Sequence, residues 1–278
     1  MDRSPTPPTS GPATFLDADG VLLHVRCDEP TSPAAGETSP PLLFLHSLGT
    51  ELRIWDAVVA HLPGFRRARF DLRGHGLSDA PAGDYALATL AADALRVLDH
   101  VGAERAVLVG VSIGGQVAMQ VALDAPERVA GLVLLDTAAR IRDRDAWEAR
   151  RDEVRNGGLA SGADAVVGRW WPASSHAVER RGYRNLLLRT PVAGYLGACA
   201  ALRDADLRPR TSDVTAPALV LCGAEDTATP PALVQALAAS LPDARYVEIA
   251  GAGHLPCLDR PAEVAAHVAS FMEGSLRR

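Results

Sequence analysis

Val109-Gly110-Val111-Ser112-Ile113-Gly114-Gly115 sets a serine among glycines, directly after the apolar run Ala106 to Val109 and before a helix-like segment. That pattern predicts a nucleophile elbow, in which a strand turns into a helix within a few residues. The turn strains the serine backbone, and the small neighbours let strand and helix approach without a clash. The Ser112 hydroxyl then stands at the carboxyl edge of a sheet. The Ile113 N–H points into the same space from a helix N-terminus, where unsatisfied donors and the dipole favour a developing oxyanion. G-x-S-x-G alone arises by chance in a glycine-rich chain, so its surroundings have to carry the case.

A serine hydroxyl is a poor nucleophile at neutral pH and needs a base, itself oriented by a carboxylate. Gly223-Ala224-Glu225-Asp226 follows the apolar run Ala218 to Cys222 and puts Asp226 on a loop at the same sheet edge. Gly251-Ala252-Gly253-His254 follows the next run, and its glycines allow a loop to bring the imidazole over the serine. Serine, acid and histidine therefore occur in an order that strand ends can bring together. Asp226 also reads as a helix cap. Asp136, after Leu132 to Leu135, is another strand-end carboxylate within range of such a histidine. His46-Ser47-Leu48-Gly49-Thr50 follows Leu42 to Leu45, and Gly49 lets the Leu48 N–H serve as the second oxyanion donor. Asp71-Leu72-Arg73-Gly74-His75-Gly76 reads as a rigid turn beneath the site, with His75 structural.

These residues need a scaffold of strand ends. Thr14 to Leu16 and Val21 to Val25 flank Asp19-Gly20 and predict an opening β-hairpin. The runs at 42–45, 106–109, 132–135, 218–222 and 246–249 alternate with helix-like stretches at 87–101 and 231–240. Such alternation predicts an α/β fold with a mostly parallel central sheet flanked by helices. From Ala138 to Thr211 strand signals stop, and an arginine-rich helical segment carries Trp147, Trp170 and Trp171, punctuated by Pro172, Pro191 and Pro209. The expected organisation is a disordered tail at 1–13, a discontinuous core at 14–137 and 212–278, and an inserted helical cap at 138–211.

Composition narrows the function classes. The chain has 278 residues, 47% hydrophobic and 22% charged, which suits an ordinary globular protein. A net charge of -6 with no basic run argues against nucleic acid as a partner. No apolar stretch is long enough for a bilayer, and the N-terminal residues lack the apolar core of a secretion signal. Cys27, Cys199, Cys222 and Cys257 lack metal-ligand spacing, which predicts reduced thiols in a cytoplasmic protein and no metal site. All 28 basic residues are arginine, so Schiff-base and serine-lysine chemistries are excluded.

Together these segments resemble the α/β-hydrolase superfamily and, within it, the 3-oxoadipate enol-lactonases of aromatic catabolism. The narrower marks are Ser47 to Asp56, Arg73 to Asp79, Asp136-Thr137-Ala138-Ala139-Arg140-Ile141 and Ala201 to Pro209. The chain departs from the enol-lactonase pattern at His46, where asparagine or a similar residue is usual, and at Asp136, where asparagine is usual. The resemblance implies a cofactor-free serine hydrolase acting on a small anionic lactone or ester. Ser112, His254 and Asp226 would form the triad, and Leu48 and Ile113 the oxyanion hole. Arg140 is the expected anchor for a substrate carboxylate, because a guanidinium matches that group bidentately. Trp147 is expected to cover the ring. Another small ester or lactone stays open as the substrate, as does a hydrolase fold that only binds.

Overall fold

An Asp19-Gly20 turn joins β1 (Thr14–Ala18) to β2 (Val21–Asp28) as an antiparallel hairpin. Both turn residues take positive φ, 54° and 85°, as a primed two-residue turn requires. The structure is a computed structural model and describes residues 14–31, 39–172 and 177–274. The tail at 1–13 and most of the connector after β2 lie outside the described residues.

The apolar runs become strands β3 (Leu42–Leu45), β5 (Ala106–Val111), β6 (Val129–Leu135), β7 (Ala218–Gly223) and β8 (Ala244–Ile249). Another strand, β4 (Arg67–Phe70), was not foreseen, because Arg67 and Arg69 interrupt its apolar pattern. Both arginines are nevertheless buried. Arg67 donates to the Leu62 carbonyl at 3.0 Å, and Arg69 is neutralised by Asp28 and Asp56. The eight strands form one sheet in the order β1-β2-β4-β3-β5-β6-β7-β8. Pairing is antiparallel only through β2 and parallel from β4 to β8. Every residue of β3 through β7 is buried, so both faces of the sheet are covered.

The helices are α1 (Asp56–Ala60), α2 (Leu87–His100), α3 (Ile113–Asp124), α4 (Arg144–Gly157), α5 (Ala163–Gly168), α6 (Ala177–Arg189), α7 (Val192–Asp204), α8 (Pro231–Ser240), α9 (Pro256–Asp259) and α10 (Pro261–Gly274). Helices α4 to α7 all lie between β6 and β7, where no strand occurs among the described residues. Asp143 caps α4 by accepting from the Ala146 N–H at 2.7 Å. An ion network ties this insertion to the core: Asp84, in the loop before α2, meets Arg151 of α4 and Arg203 of α7. No helix among the described residues is long and apolar enough to cross a membrane.

The chain leaves β3 toward β4 on one side and returns to β5 on the other. Such a reversal opens a crevice beyond the carboxyl ends of the two strands, and their next loops enter it together. Those loops carry Leu48 and Ser112.

Candidate active site

Ser112 sits between β5 and α3 with φ 58° and ψ -121°, the strained backbone of an elbow. Two glycines make the turn possible. A methyl group at Gly110 would overlap the Gly114 carbonyl, and one at Gly114 would overlap the Leu45 carbonyl at the end of β3. The strained peptide is clamped from β6. Ser112 N–H donates to the Leu135 carbonyl at 3.0 Å, and the Thr137 hydroxyl donates to the Ser112 carbonyl at 2.7 Å.

His254 Nδ1 lies 2.9 Å from Asp226 Oδ2, with both side chains buried. Asp226 also accepts from the Thr229 hydroxyl at 2.6 Å and from the Ala228 N–H at 2.7 Å. Burial pushes the Asp226 carboxyl up, but the His254 ring and these donors outweigh it and hold it below the usual carboxylate range. An ionised Asp226 favours the Nδ1–H tautomer and leaves Nε2 free to accept a proton. The histidine loop is pinned on both sides. Gly253 N–H donates to Asp259 Oδ2 at 2.7 Å, and Leu255 N–H to the Trp170 carbonyl at 3.1 Å.

The Leu48 N–H has no hydrogen-bond partner among the described residues, and the Ile113 N–H belongs to the open first turn of α3. Two neutral histidines shape the loop that carries Leu48. Gly49, at φ 74°, donates its N–H to His75 Nε2 at 3.0 Å. Burial depresses the His75 ring to about 3, so it accepts this bond as a neutral group. His46 Nδ1 contacts the Ser47 carbonyl at 2.8 Å while its Nε2 accepts the Leu72 N–H at 2.9 Å. Burial lowers His46 too. Its imidazole supports the loop from below.

Ser112, His254 and Leu48 line one cavity of about 230 Å³. The helical insertion supplies most of the opposite wall, through Trp147, Val166, Trp170, Tyr195 and three arginines, Arg142, Arg150 and Arg169. Trp147 is therefore brought to the cavity, its Nε1–H donating to the Ile141 carbonyl at 2.6 Å. Arg140 is not. Its side chain is 32% exposed and pairs with Asp206 at 3.2 Å, while Arg142, at φ 61°, lines the cavity instead. Arg150 is held by Glu153 at 2.7 Å and the Tyr195 hydroxyl at 3.3 Å, and its Nη2 is buried without a partner. Arg169 has no ion-pair partner among the described residues. Burial, then the charges of Arg142 and Arg150, disfavours its proton.

A sequence profile described as the alpha/beta hydrolase fold matches residues 40–261. The chain belongs to the α/β-hydrolase family. This hydrolase is 33% identical over 228 residues to 3-oxoadipate enol-lactonase 2 of Acinetobacter baylyi, covering 80% of this chain and 84% of that protein. It is 30% identical over 250 residues to a pimeloyl-[acyl-carrier protein] methyl ester esterase of Yersinia pseudotuberculosis, covering 86% and 95%. Among solved structures it resembles the enol-lactonase of Burkholderia xenovorans, with TM-score 0.87 and 34% identity over 94% of this chain and 100% of that one.

The sequence did not single out Thr229, Asp259 or the arginine trio of this hydrolase. Thr229 was within reach of inference, because a threonine three residues after the acid can close an Asx-type loop. Nothing local marked Asp259, Arg150 or Arg169.

Proposed function

We propose that this hydrolase opens 3-oxoadipate enol-lactone, a small lactone bearing a free carboxylate, to 3-oxoadipate in aromatic catabolism. The observation that carries this reading is the placement of three guanidinium groups in the cavity that Ser112 and His254 line. Their excess of positive charge favours an anionic substrate. The enol-lactonase names of two similar proteins support it. The four cysteines are free thiols, which supports a reducing, cytoplasmic setting.

Ser112 Oγ attacks the lactone carbonyl carbon as His254 Nε2 takes the hydroxyl proton, and Asp226 stabilises the imidazolium. The Leu48 and Ile113 N–H groups hold the oxyanion, each worth roughly 2.7–4 kcal/mol to such a transition state. Collapse breaks the ring C–O bond. The departing enol oxygen takes the proton from His254, and the enol relaxes to a ketone. His254 then draws a proton from water, whose oxygen adds to the acyl carbon; collapse breaks the bond from that carbon to Ser112 Oγ, which takes the proton back from His254. Arg169, together with Arg142 and Arg150, holds the carboxylate in place of Arg140. Trp147 covers the ring.

The direct test follows loss of the enol-lactone's ultraviolet absorbance above the spontaneous rate, for native protein and for Ser112→Ala. Turnover abolished by the substitution is the expected result. Background loss by a native protein that still hydrolyses short aryl esters would move the substrate to another ester or lactone.

A further inference from the structure

Asp136 directly follows β6 with φ 43°, is fully buried, and plays no part in the mechanism above. Its Oδ1 accepts the Gly223 N–H at 2.8 Å, tying it to the end of β7, and its carboxyl group also interacts with the Asp226 carboxyl and the Cys222 thiol. One oxygen each of Asp136 and Asp226 and one ring nitrogen of His254 all lie within 4.8 Å of one another. Two carboxyl groups and one imidazole thus share a buried pocket. We propose that Asp136 is a reserve acid of the triad, a second carboxyl group close enough to His254 to stabilise its imidazolium once Asp226 no longer carries charge.

Two like charges at this separation do not coexist in a buried site, so one group holds the proton. Asp226 has the His254 ring and three donors to favour its ionised form. Asp136 has one N–H and the Cys222 thiol, and burial followed by the Asp226 charge drives its carboxyl well above the usual range. Around Asp136 stand Asp226 and Cys222 from the β7 end, His254 from the loop after β8, and Cys257 of α9. Both thiols are pushed upward, by burial first, and remain protonated at neutral pH. When Asp226 is neutralised, the main charge opposing Asp136 ionisation disappears. Burial still opposes that ionisation, so Asp136 loses its proton only above the usual carboxylate range, within 4.8 Å of the ring it would stabilise. Asp136 would then act through His254 as a positioning residue.

The inference rests on the serine-hydrolase part of the proposed function and not on the lactone. The test accordingly uses a fluorophosphonate, which forms an O–P bond to Ser112 Oγ, expels fluoride and passes the hydroxyl proton to His254. Labelling rates are measured against pH for the native protein, Asp226→Asn, Asp136→Asn and the double variant, with circular dichroism checking the fold. An opposite charge at such distance shifts a partner's pKa by about one to three units, so Asp226→Asn should label about 10- to 1000-fold faster than the double variant. Its rate should also rise with pH through one added ionisation that the double variant lacks. Equal rates, or the same loss from Asp136→Asn whether or not Asp226 is intact, would overturn the proposal. If the Asp136 variants do not fold, Asp226→Asn alone decides: a rate without the added ionisation overturns it. No Ser112-dependent labelling of the native protein would sink the triad reading, and this inference with it.

Discussion

The two walls of the cavity are built on opposite plans. At the sheet edge, Ser112, Leu48 and His254 are held by backbone bonds and by neutral or internally balanced groups: the Thr137 hydroxyl, the His46 and His75 rings, and the Asp226 carboxylate against its donors. The insertion presents charge with less compensation, since Glu153 meets Arg150 while Arg142 and Arg169 lack ion-pair partners among the described residues. Atoms that make and break bonds must stay within a fraction of an ångström of their working positions, which favours supports whose protonation never changes. Recognition asks instead for unspent charge that a substrate can complete. On this view the sheet edge serves any acyl substrate, and the insertion chooses among them.

Removing a guanidinium sharpens that contrast most. Arg169→Leu is expected to cut kcat/KM on the carboxylated lactone by about 10- to 100-fold, the worth of a charged hydrogen bond, and to leave a short neutral aryl ester within about twofold. Steady-state rates on both substrates check it. Equal losses on the two would place Arg169 among the supports of the chemistry and dissolve the division of labour.

Acid separates the walls through unfolding, because the supporting histidines stay neutral in the fold and gain charge once the chain unfolds, whereas the arginines are charged in both states. His75 binds its proton at about 3 when folded and near 6.5 when unfolded, so the unfolded chain takes up more protons in between. Its contribution is fully present above pH 6.5 and is lost as pH falls toward 3, amounting to about 2 kcal/mol by pH 5. Asp136, raised in the folded state, favours folding as pH falls and works against this slope. A comparison of urea unfolding for the native protein and His75→Asn, whose amide can still accept the Gly49 N–H, cancels the Asp136 effect. The native protein should lose about 2 kcal/mol more than the variant between pH 7 and pH 5. Parallel slopes would mean that folding leaves the proton affinity of His75 unchanged.

The same division governs what could be seen in the sequence. Ser112, Asp226 and His254 sit in short loops after apolar strands, where glycines announce the turn and local order suggests the geometry. The hairpin, the α/β alternation and the helix at 231–240 were legible for the same reason: each reports a local pattern. Strand β4 was hidden because the partners that neutralise Arg69, Asp28 and Asp56, come from elsewhere in the chain. Arg140 against Arg169 is the sharper case. The insertion offers many arginines of identical chemistry, and only the path of its helices decides which pair with acids and which face the cavity.

The smallest effect probes whether backbone geometry alone secures the elbow. Thr137 donates to the Ser112 carbonyl from β6, and its methyl group stands against Gly115. Thr137→Val keeps that packing and deletes the hydroxyl, while the Ser112 carbonyl keeps its bonds from the Gly115 and Gln116 N–H groups at 3.0 and 3.2 Å. One neutral hydrogen bond is worth about 1 kcal/mol, so kcat should fall about fivefold on lactone and neutral ester alike with KM unchanged. A loss confined to the lactone would assign a recognition role to a residue that touches only the elbow, contrary to the separation of the two walls. No loss on either substrate would mean that the helix and the close approach of Gly110 and Gly114 hold the strained serine unaided, and that the sheet edge is stiffer than its hydrogen bonds require.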